Sequence, residues 1–254
     1  YADGIYTLKE GIPDLSSNIT GVFHGAEGRV PKGQNAYPGM AKFVDTDGSG
    51  VVDDKDYTFI GDMNPLFTGG FNISTNYRNW DLGLYFNYSV GNQIYNISKL
   101  VSLNGYKESG VFENHLSLLK DSYKLYDIQN GQLVRLETPE QLNAANVNAS
   151  LPLFNNENGI VSTLGIEDGS YLRLNTMTLG YTLPSASKFA KTMSISSLRV
   201  YATVYNVFTL TKYSGLDPEV STNNQMNDRY PTPGIDYGAY PRARSFVLGL
   251  NIGF

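Results

Sequence analysis

The densest chemistry in the chain lies between residues 45 and 56. Asp45, Asp47, Ser49, Asp53 and Asp56 fall at loop positions one, three, five, nine and twelve, with Gly50 at six and the carbonyl of Val51 available at seven. This is the oxygen-donor spacing of an EF-hand calcium loop, which wraps a hard cation and uses glycine for the sharp turn. Two features depart from that pattern. Position twelve is Asp56 instead of the longer glutamate that usually binds through both oxygens, and the flanks 41–44 and 57–60 lack helical patterning. A solvated acidic turn is the competing reading, and the number of correctly spaced donors favours calcium as the cofactor. No organic cofactor is signalled.

Catalytic constellations are missing. His24 and His115 are far apart and in no metal-ligand spacing, so a histidine zinc site or a Ser-His-Asp triad lacks raw material. Neighbouring carboxylates such as Asp53 and Asp54 belong to the acidic loop and leave no separate acid and base for glycoside hydrolysis. Phosphate-binding glycine loops and a GxSxG elbow are also lacking. With zero cysteines, thiolate chemistry and a disulfide scaffold are excluded. We therefore read the chain as no enzyme. A net charge of −5 with scattered Lys and Arg excludes a nucleic-acid footprint. The 19 Tyr against 12 Phe tilt the aromatics toward the amphipathic ring that suits a membrane interface or a sugar-binding surface.

The elements that must position such loops are strands. Trp80, Leu82, Leu84, Phe86, Tyr88 and Val90 alternate with Asp81, Gly83, Tyr85, Asn87, Ser89 and Gly91. Before them, Phe71, Ile73, Thr75 and Tyr77 alternate with Asn72, Ser74 and Asn76, and Arg78-Asn79 is short enough for a hairpin turn. Met177, Leu179, Tyr181 and Leu183 form a third run, stopped by Pro184. A fourth covers 198–208, mixed on both faces because Arg199, Thr203 and Asn206 interrupt it. The last run, Phe246, Leu248, Leu250, Ile252 and Phe254, is apolar on one face and small or polar on the other. The pattern predicts an all-β fold with strands near 67–77, 80–91, 170–183, 197–208 and 245–254. Asn-x-Ser triplets at Asn72 and Asn87 fall inside these strands and are read as chance.

Two readings fit an exposed greasy face: a soluble sandwich or an outer-membrane barrel. Connection lengths separate them. The links 78–79 and 184–196 are short, whereas 92–169 and 209–244 are long, as short periplasmic turns and long external loops would be. If the last strand runs inward, strand parity puts both long links outside. Within them, Thr138-Pro139-Glu140-Gln141 has a capping-box pattern and predicts a helix, and Phe112, Leu116, Leu119 and Tyr123 fall at helical spacing. Mean hydropathy of −0.27 does not oppose a barrel, because only alternate residues meet lipid.

Several ordered phrases together resemble the C-terminal part of the SusC/RagA-like family of TonB-dependent outer-membrane transporters. They are the acidic loop 45–56 followed by Ile60-Gly-Asp-Met-Asn-Pro65, Phe67-Thr-Gly-Gly-Phe71, Asp168-Gly-Ser-Tyr-Leu-Arg-Leu174 and Leu179-Gly-Tyr-Thr-Leu-Pro184. Leu198-Arg-Val-Tyr201, the stretch 206–219 and Tyr240-Pro-Arg-Ala-Arg244 continue the series. The resemblance implies a large plugged transmembrane β-barrel of which this chain holds the last five strands (67–254), preceded by an external loop region (1–66). It further implies import of oligosaccharides or peptides, energy from a TonB complex, and a SusD-like surface lipoprotein as partner. The remaining partners would be outer-membrane lipid and the rest of the same barrel with its plug. No plug, TonB-contacting segment or leader is read in this stretch, so the chain is taken as a piece of something longer. Phe246, Leu248, Leu250, Ile252 and Phe254 would form the barrel-closing strand and insertion signal. No substrate-binding residue is singled out. Tyr213, Asp217 and Tyr230 lie on an expected external loop, where packing explains each equally well. The alternative is a secreted calcium-dependent carbohydrate-binding β-sandwich.

Overall fold

The computed structural model describes residues 2–5, 39–103, 117–153, 162–184, 187, 192, 194–223 and 231–253. The chain divides into two compact units, 1–61 with 98–166 and 62–97 with 167–254. No described helix is long and apolar enough to cross a membrane.

The second unit is built on one antiparallel five-stranded sheet. Its strands are Phe67–Tyr77, Trp80–Val90, Tyr171–Leu183, Ser197–Thr211 and Ser245–Gly253, and each pairs with its sequence neighbour. The expected set of strands is therefore present, with the fourth three residues longer than its alternation suggested. Phe254 lies outside the described residues. Arg78, at a left-handed φ of 55°, and Asn79 make the two-residue turn that pairs Tyr77 with Trp80.

Register sorts the side chains into two faces. One row runs Thr75, Leu82, Leu179, Ala202, Leu248, and the next runs Tyr77, Trp80, Tyr181, Val200, Leu250. On the opposite face, Asn76, Asp81, Gly180, Tyr201 and Gly249 share a row, as do Ser74, Gly83, Thr178, Thr203 and Val247. The apolar face is bare: Leu248 is 84% exposed and Phe246 74%. In a sandwich these residues would meet a second sheet, and among the described residues none covers them. Aromatics mark both ends of this face. Trp80 packs on Tyr181 at 4.9 Å near the hairpin, and Phe67 meets Tyr88 edge-on at 6.1 Å near the other end.

Two irregularities explain where the alternation misleads. Between the second and third strands, one step from Tyr85 to Phe86 matches two from Thr176 to Leu174, so Asn175 is an extra residue. It switches parity, which is why Leu172 and Leu174 join the face of Met177 and Leu179. In the fourth strand, the three steps from Tyr205 to Phe208 also match those two, and Asn206 sits at φ 53°. The expectation of two mixed faces is thus corrected: Asn206 belongs to a bulge. Its side-chain amide donates to the carbonyl of Ala243 at 2.8 Å, and Arg244 donates to Val207 O at 2.6 Å, fixing the bulge to the segment before the last strand.

In the first unit, the helix Pro139–Ala145 starts as its sequence dictates. Thr138 Oγ1 accepts from Gln141 N at 3.3 Å, and Gln141 Oε1 accepts from Thr138 N at 3.2 Å. The helix buries Leu142 against Tyr123 and Leu136, a packing worth about 1.5–3 kcal/mol for such a side chain. Phe112 and Leu116 lie outside the described residues. Ser117–Asp121 is a 3-10 turn and Tyr123 stands beyond it, so the helical spacing does not extend to Tyr123. Tyr126–Gln129 and Gln132–Arg135 form a separate hairpin, so the long link is structured in part by its own local pairing.

Candidate functional site

Two places gather functional groups. In the acidic loop, Asp45, Asp47 and Asp56 each present a carboxylate oxygen within 4.8 Å of the others. The backbone builds this convergence. Gly48 and Gly50 take left-handed φ of 71° and 85°, and their amides donate to Asp45 at 2.8 and 2.7 Å. Asp56 clasps the loop: one oxygen accepts from Thr46 N at 2.6 Å and the other from Asp53 N at 2.7 Å. Asp53 caps the 3-10 turn Asp54–Asp56 by accepting from Lys55 N, and Ser49 Oγ donates to the carbonyl of Val51 at 3.0 Å.

Hydrogen bonds favour the charged form of two of these carboxylates. Hydrogen bonds from Ser49 hold the Asp47 carboxyl below the usual carboxylate range, and the Asp53 and Thr46 amides do the same for Asp56. The donor set is hard oxygen throughout, which fits calcium better than a softer metal. The flanks are not helices: Ala41–Phe43 is a short strand and 57–60 is irregular. Asp45, Asp47 and Asp56 are thus brought together. Asp53 is committed to capping, and Ser49 and Val51 are bonded to each other.

The second place lies on the polar face of the sheet, at the end away from the hairpin. A cavity of about 460 Å³ is lined there by Asn87, Ser89, Asn92, Tyr171, Glu219 and Arg242, among others. Behind it runs a chain of charges. Arg173, 2% exposed, meets Asp217 at 2.6 Å and Glu219 at 3.4 Å, and Glu219 in turn meets Arg242 at 3.0 Å. Asp217 also accepts from the amide of Glu219 at 2.9 Å, which folds the segment after the fourth strand over the sheet. Nearby, Tyr213 donates to Asp236, and Asp236 accepts from the amides of Gly238 and Ala239 at 2.7 and 2.9 Å. Burial and the Asp236 carboxylate push the Tyr213 hydroxyl well above the ordinary tyrosine value. Tyr213 packs with Ile94 and Val220 in the core of this unit.

A further pair spans the sheet nearer the hairpin. Arg199 reaches over Gly180 on the intervening strand and grips Asp81 through two bonds, 2.9 and 2.5 Å. A Cβ on Gly180 would strike both partners, so only glycine leaves the crossing open.

Sequence reasoning flagged Tyr213 and Asp217, which the structure uses as buried anchors; Tyr230 lies outside the described residues. It missed Asn87, Arg173, Asp81 and Arg199. Their signal was present: each is polar or charged at an alternating position whose neighbours are apolar. Of the strand residues expected to face lipid, Phe246, Leu248, Leu250 and Ile252 share the exposed apolar face.

Comparison with known proteins gives this geometry its family. No family model matches the chain. TonB-dependent receptor P3 of Formosa agariphila is 32% identical over 241 residues, covering 92% of this chain and 21% of its own length. TonB-dependent receptor SusC of Bacteroides thetaiotaomicron is 29% identical over 222 residues, 87% of this chain and 18% of that protein. The RagAB peptide transporter is similar in fold, with a TM-score of 0.56 and 23% identity over 81% of this chain and 19% of the solved one. The RagAB peptide importer in its closed-closed state gives the same TM-score and identity over 92% of this chain and 26% of its own. The chain spans about a fifth of the length of the curated relatives it matches. An open sheet with one bare apolar face is then a sector of barrel wall, and the chain belongs to the SusC/RagA-like family of TonB-dependent receptors.

Proposed function

We propose that the chain supplies part of the wall and external loops of an energised outer-membrane importer of oligosaccharides or peptides. The observation that carries this reading is the sheet's division into a bare apolar face for lipid and a polar face for a lumen. An open edge in lipid leaves backbone groups unpaired, so the two edge strands, Phe67–Tyr77 and Ser245–Gly253, must pair with the rest of the barrel. On this reading the hairpin turn 78–79 faces the periplasm, whereas 92–169, 209–244 and the region 1–66 face outward. Force from a TonB complex would act on a plug supplied by the remainder of the protein, and a SusD-like lipoprotein would cover the external mouth. The RagAB structures are those of a peptide importer, which supports keeping peptides among the cargoes.

Uptake of labelled oligosaccharides and peptides by cells carrying or lacking the gene tests the proposal. Uptake is expected to require both the gene and a working TonB, with the full-length product in the outer-membrane fraction. A soluble product, or uptake indifferent to TonB, would overturn it.

The acidic loop is proposed to bind calcium through Asp45, Asp47, Ser49, the Val51 carbonyl, Asp53 and Asp56, pinning an external loop. The convergence of the Asp45, Asp47 and Asp56 carboxylates, with Asp47 and Asp56 held below the usual carboxylate range by their hydrogen bonds, supports this. Calorimetry on the purified receptor is expected to show a calcium heat that vanishes in Asp45→Ala with Asp47→Ala. Unchanged heat in that variant, or none in the parent, would leave a solvated turn as the answer.

A further inference from the structure

We propose that the outer rim of the bare apolar face, around Lys212 and Arg244, binds a phosphorylated glycolipid of the lipid A class, an inference that rests on the barrel-wall reading above. That reading turns this face to lipid and the strand ends opposite the hairpin to the exterior.

On the fourth strand the apolar face gives way to a cation. Phe208 and Leu210 pair with Leu174 and Leu172, which puts them on the lipid side, and they are 41% and 59% exposed. Thr211 alternates with Leu210, and Tyr213 is packed with Ile94 and Val220 behind the polar face. Lys212 stands between two residues that turn inward, so the alternation sets it in line with Leu210, and it is exposed.

A second cation stands at the same end of the neighbouring strand. Arg244 precedes Phe246 by two residues and shares its side of the sheet. Its guanidinium donates to the carbonyls of Asn206 and Val207 at 3.4 and 2.6 Å, which holds it at the bulge. A guanidinium carries five N–H donors, so the fork has others to offer. Arg244 at Val207 and Lys212 thus bracket Phe208 and Leu210 along one strand.

Charge decides what covers this rim. Cations at the edge of an apolar band lay their stems on apolar surface and hold their heads at the level of lipid phosphates. The other arginines of the sheet and its loops are answered: Arg173 by Asp217 and Glu219, Arg242 by Glu219, and Arg199 by Asp81. Among the described residues no carboxylate forms an ion pair with Lys212 or Arg244. Asp168 acts on Lys212 only at longer range, and its carboxylate accepts from the Ser170 amide at 2.9 Å. A zwitterionic lipid brings its own cation to such a rim, whereas a phosphate on a sugar brings none and suits the arginine fork. At the exterior end of a barrel wall, the leaflet supplies that phosphate on an acylated sugar.

The test titrates the full-length receptor, purified in detergent, by native mass spectrometry. The lipids are lipid A, the same lipid A stripped of its phosphates, phosphatidylethanolamine and phosphatidylglycerol. Intact lipid A is expected to bind in preference to the other three. Lys212→Gln should weaken it about fivefold, and Lys212→Gln with Arg244→Gln about 25-fold, the scale of one and two cations at a lipid surface. Arg78→Gln, at the hairpin end of the same face, should leave binding unchanged. Retention of the heat-modifiable band on gels establishes that each variant is a folded barrel, and Lys212→Gln keeps the Arg244 bonds that fix the bulge. Undiminished binding in Lys212→Gln, or an equal loss in Arg78→Gln, would overturn the site. Indifference to removal of the phosphates, or equal binding of phosphatidylglycerol, would overturn the ligand class. Recovery of the receptor as a soluble product would instead defeat the barrel-wall reading, before any lipid is added.

Discussion

Asp217→Ala should detach the loop that follows the fourth strand. Asp217 takes a 2.6 Å bond from Arg173 and a 2.9 Å bond from the Glu219 amide, and it is the nearer of two carboxylates serving a guanidinium that is 2% exposed. Removing one partner of a buried ion pair costs about 3–5 kcal/mol, chiefly because the other charge stays buried. Glu219, at 3.4 Å, can close on Arg173 and recover part of this, which places the expected loss near the low end, about 3 kcal/mol. Such a loss raises the population of the opened loop on the order of 100-fold. Cleavage by chymotrypsin after Tyr213, buried when the loop is closed, tracks that population if reclosure outpaces cutting. The expected rise in cleavage rate is therefore about two orders of magnitude at unchanged barrel heat-modifiability. Adding Arg173→Leu should return at least half of the loss, since it removes the stranded charge. A rise below threefold in Asp217→Ala, or no recovery in the double variant, would refute the assignment of this pair as the loop's anchor.

Other sites give shorter tests. Gly180→Val should lower barrel stability by about 1–3 kcal/mol through collision with the Asp81–Arg199 bridge, read as a lower unfolding temperature on heat-modifiability gels; Asp81→Ala should soften that loss. Tyr213→Phe should loosen the same loop by about 1–3 kcal/mol by taking a donor from Asp236, again seen as faster proteolysis. Because the Tyr213 pKa is raised, the unfolded chain gives up this proton first on going alkaline, so its contribution is full below about pH 10 and wanes above. For Asp47 and Asp56 the shift is downward and the sign reverses. Order in the acidic loop should hold above about pH 4 and fade as pH falls further, measured by amide hydrogen exchange of Gly48 and Ser49 in calcium-free buffer. Leu250→Arg, on the bare face, should cost about 2–4 kcal/mol if it lies near the bilayer midplane, and insertion into vesicles would reveal it; equal insertion of parent and variant would count against a lipid-facing strand.

Strand alternation made most of the sheet legible, because a barrel wall needs opposite chemistry on its two faces and the period of two records that need directly. It failed where the backbone changes its count. Asn175 and Asn206 look like polar interruptions of an apolar run, yet both sit in bulges: Asn175 switches parity so that Leu174 joins the face of Met177, and across Asn206 Phe208 keeps the face of Val204. The acidic loop was equally legible, since its donors are local in sequence and its glycines mark the turns. The cavity was not, because Asn87 and Tyr171 come from the ends of two strands and Glu219 and Arg242 from distant parts of the link before the last strand, and only the fold brings them together. What the sequence did hold was a set of anomalies: Arg173 and Arg199 are charges inside strands, where an uncompensated ion is costly. Each must find a carboxylate within a side chain's reach on the same face. For Arg199 the partner lies two strands away, across the one residue type that offers no obstruction, so the pairing of Asp81, Gly180 and Arg199 is a three-strand register mark. A one-residue slip of the third strand would put Leu179 or Tyr181 under the bridge and send the polar row into lipid. On that argument, the pair serves less to add stability at its half-exposed position than to penalise the wrong register.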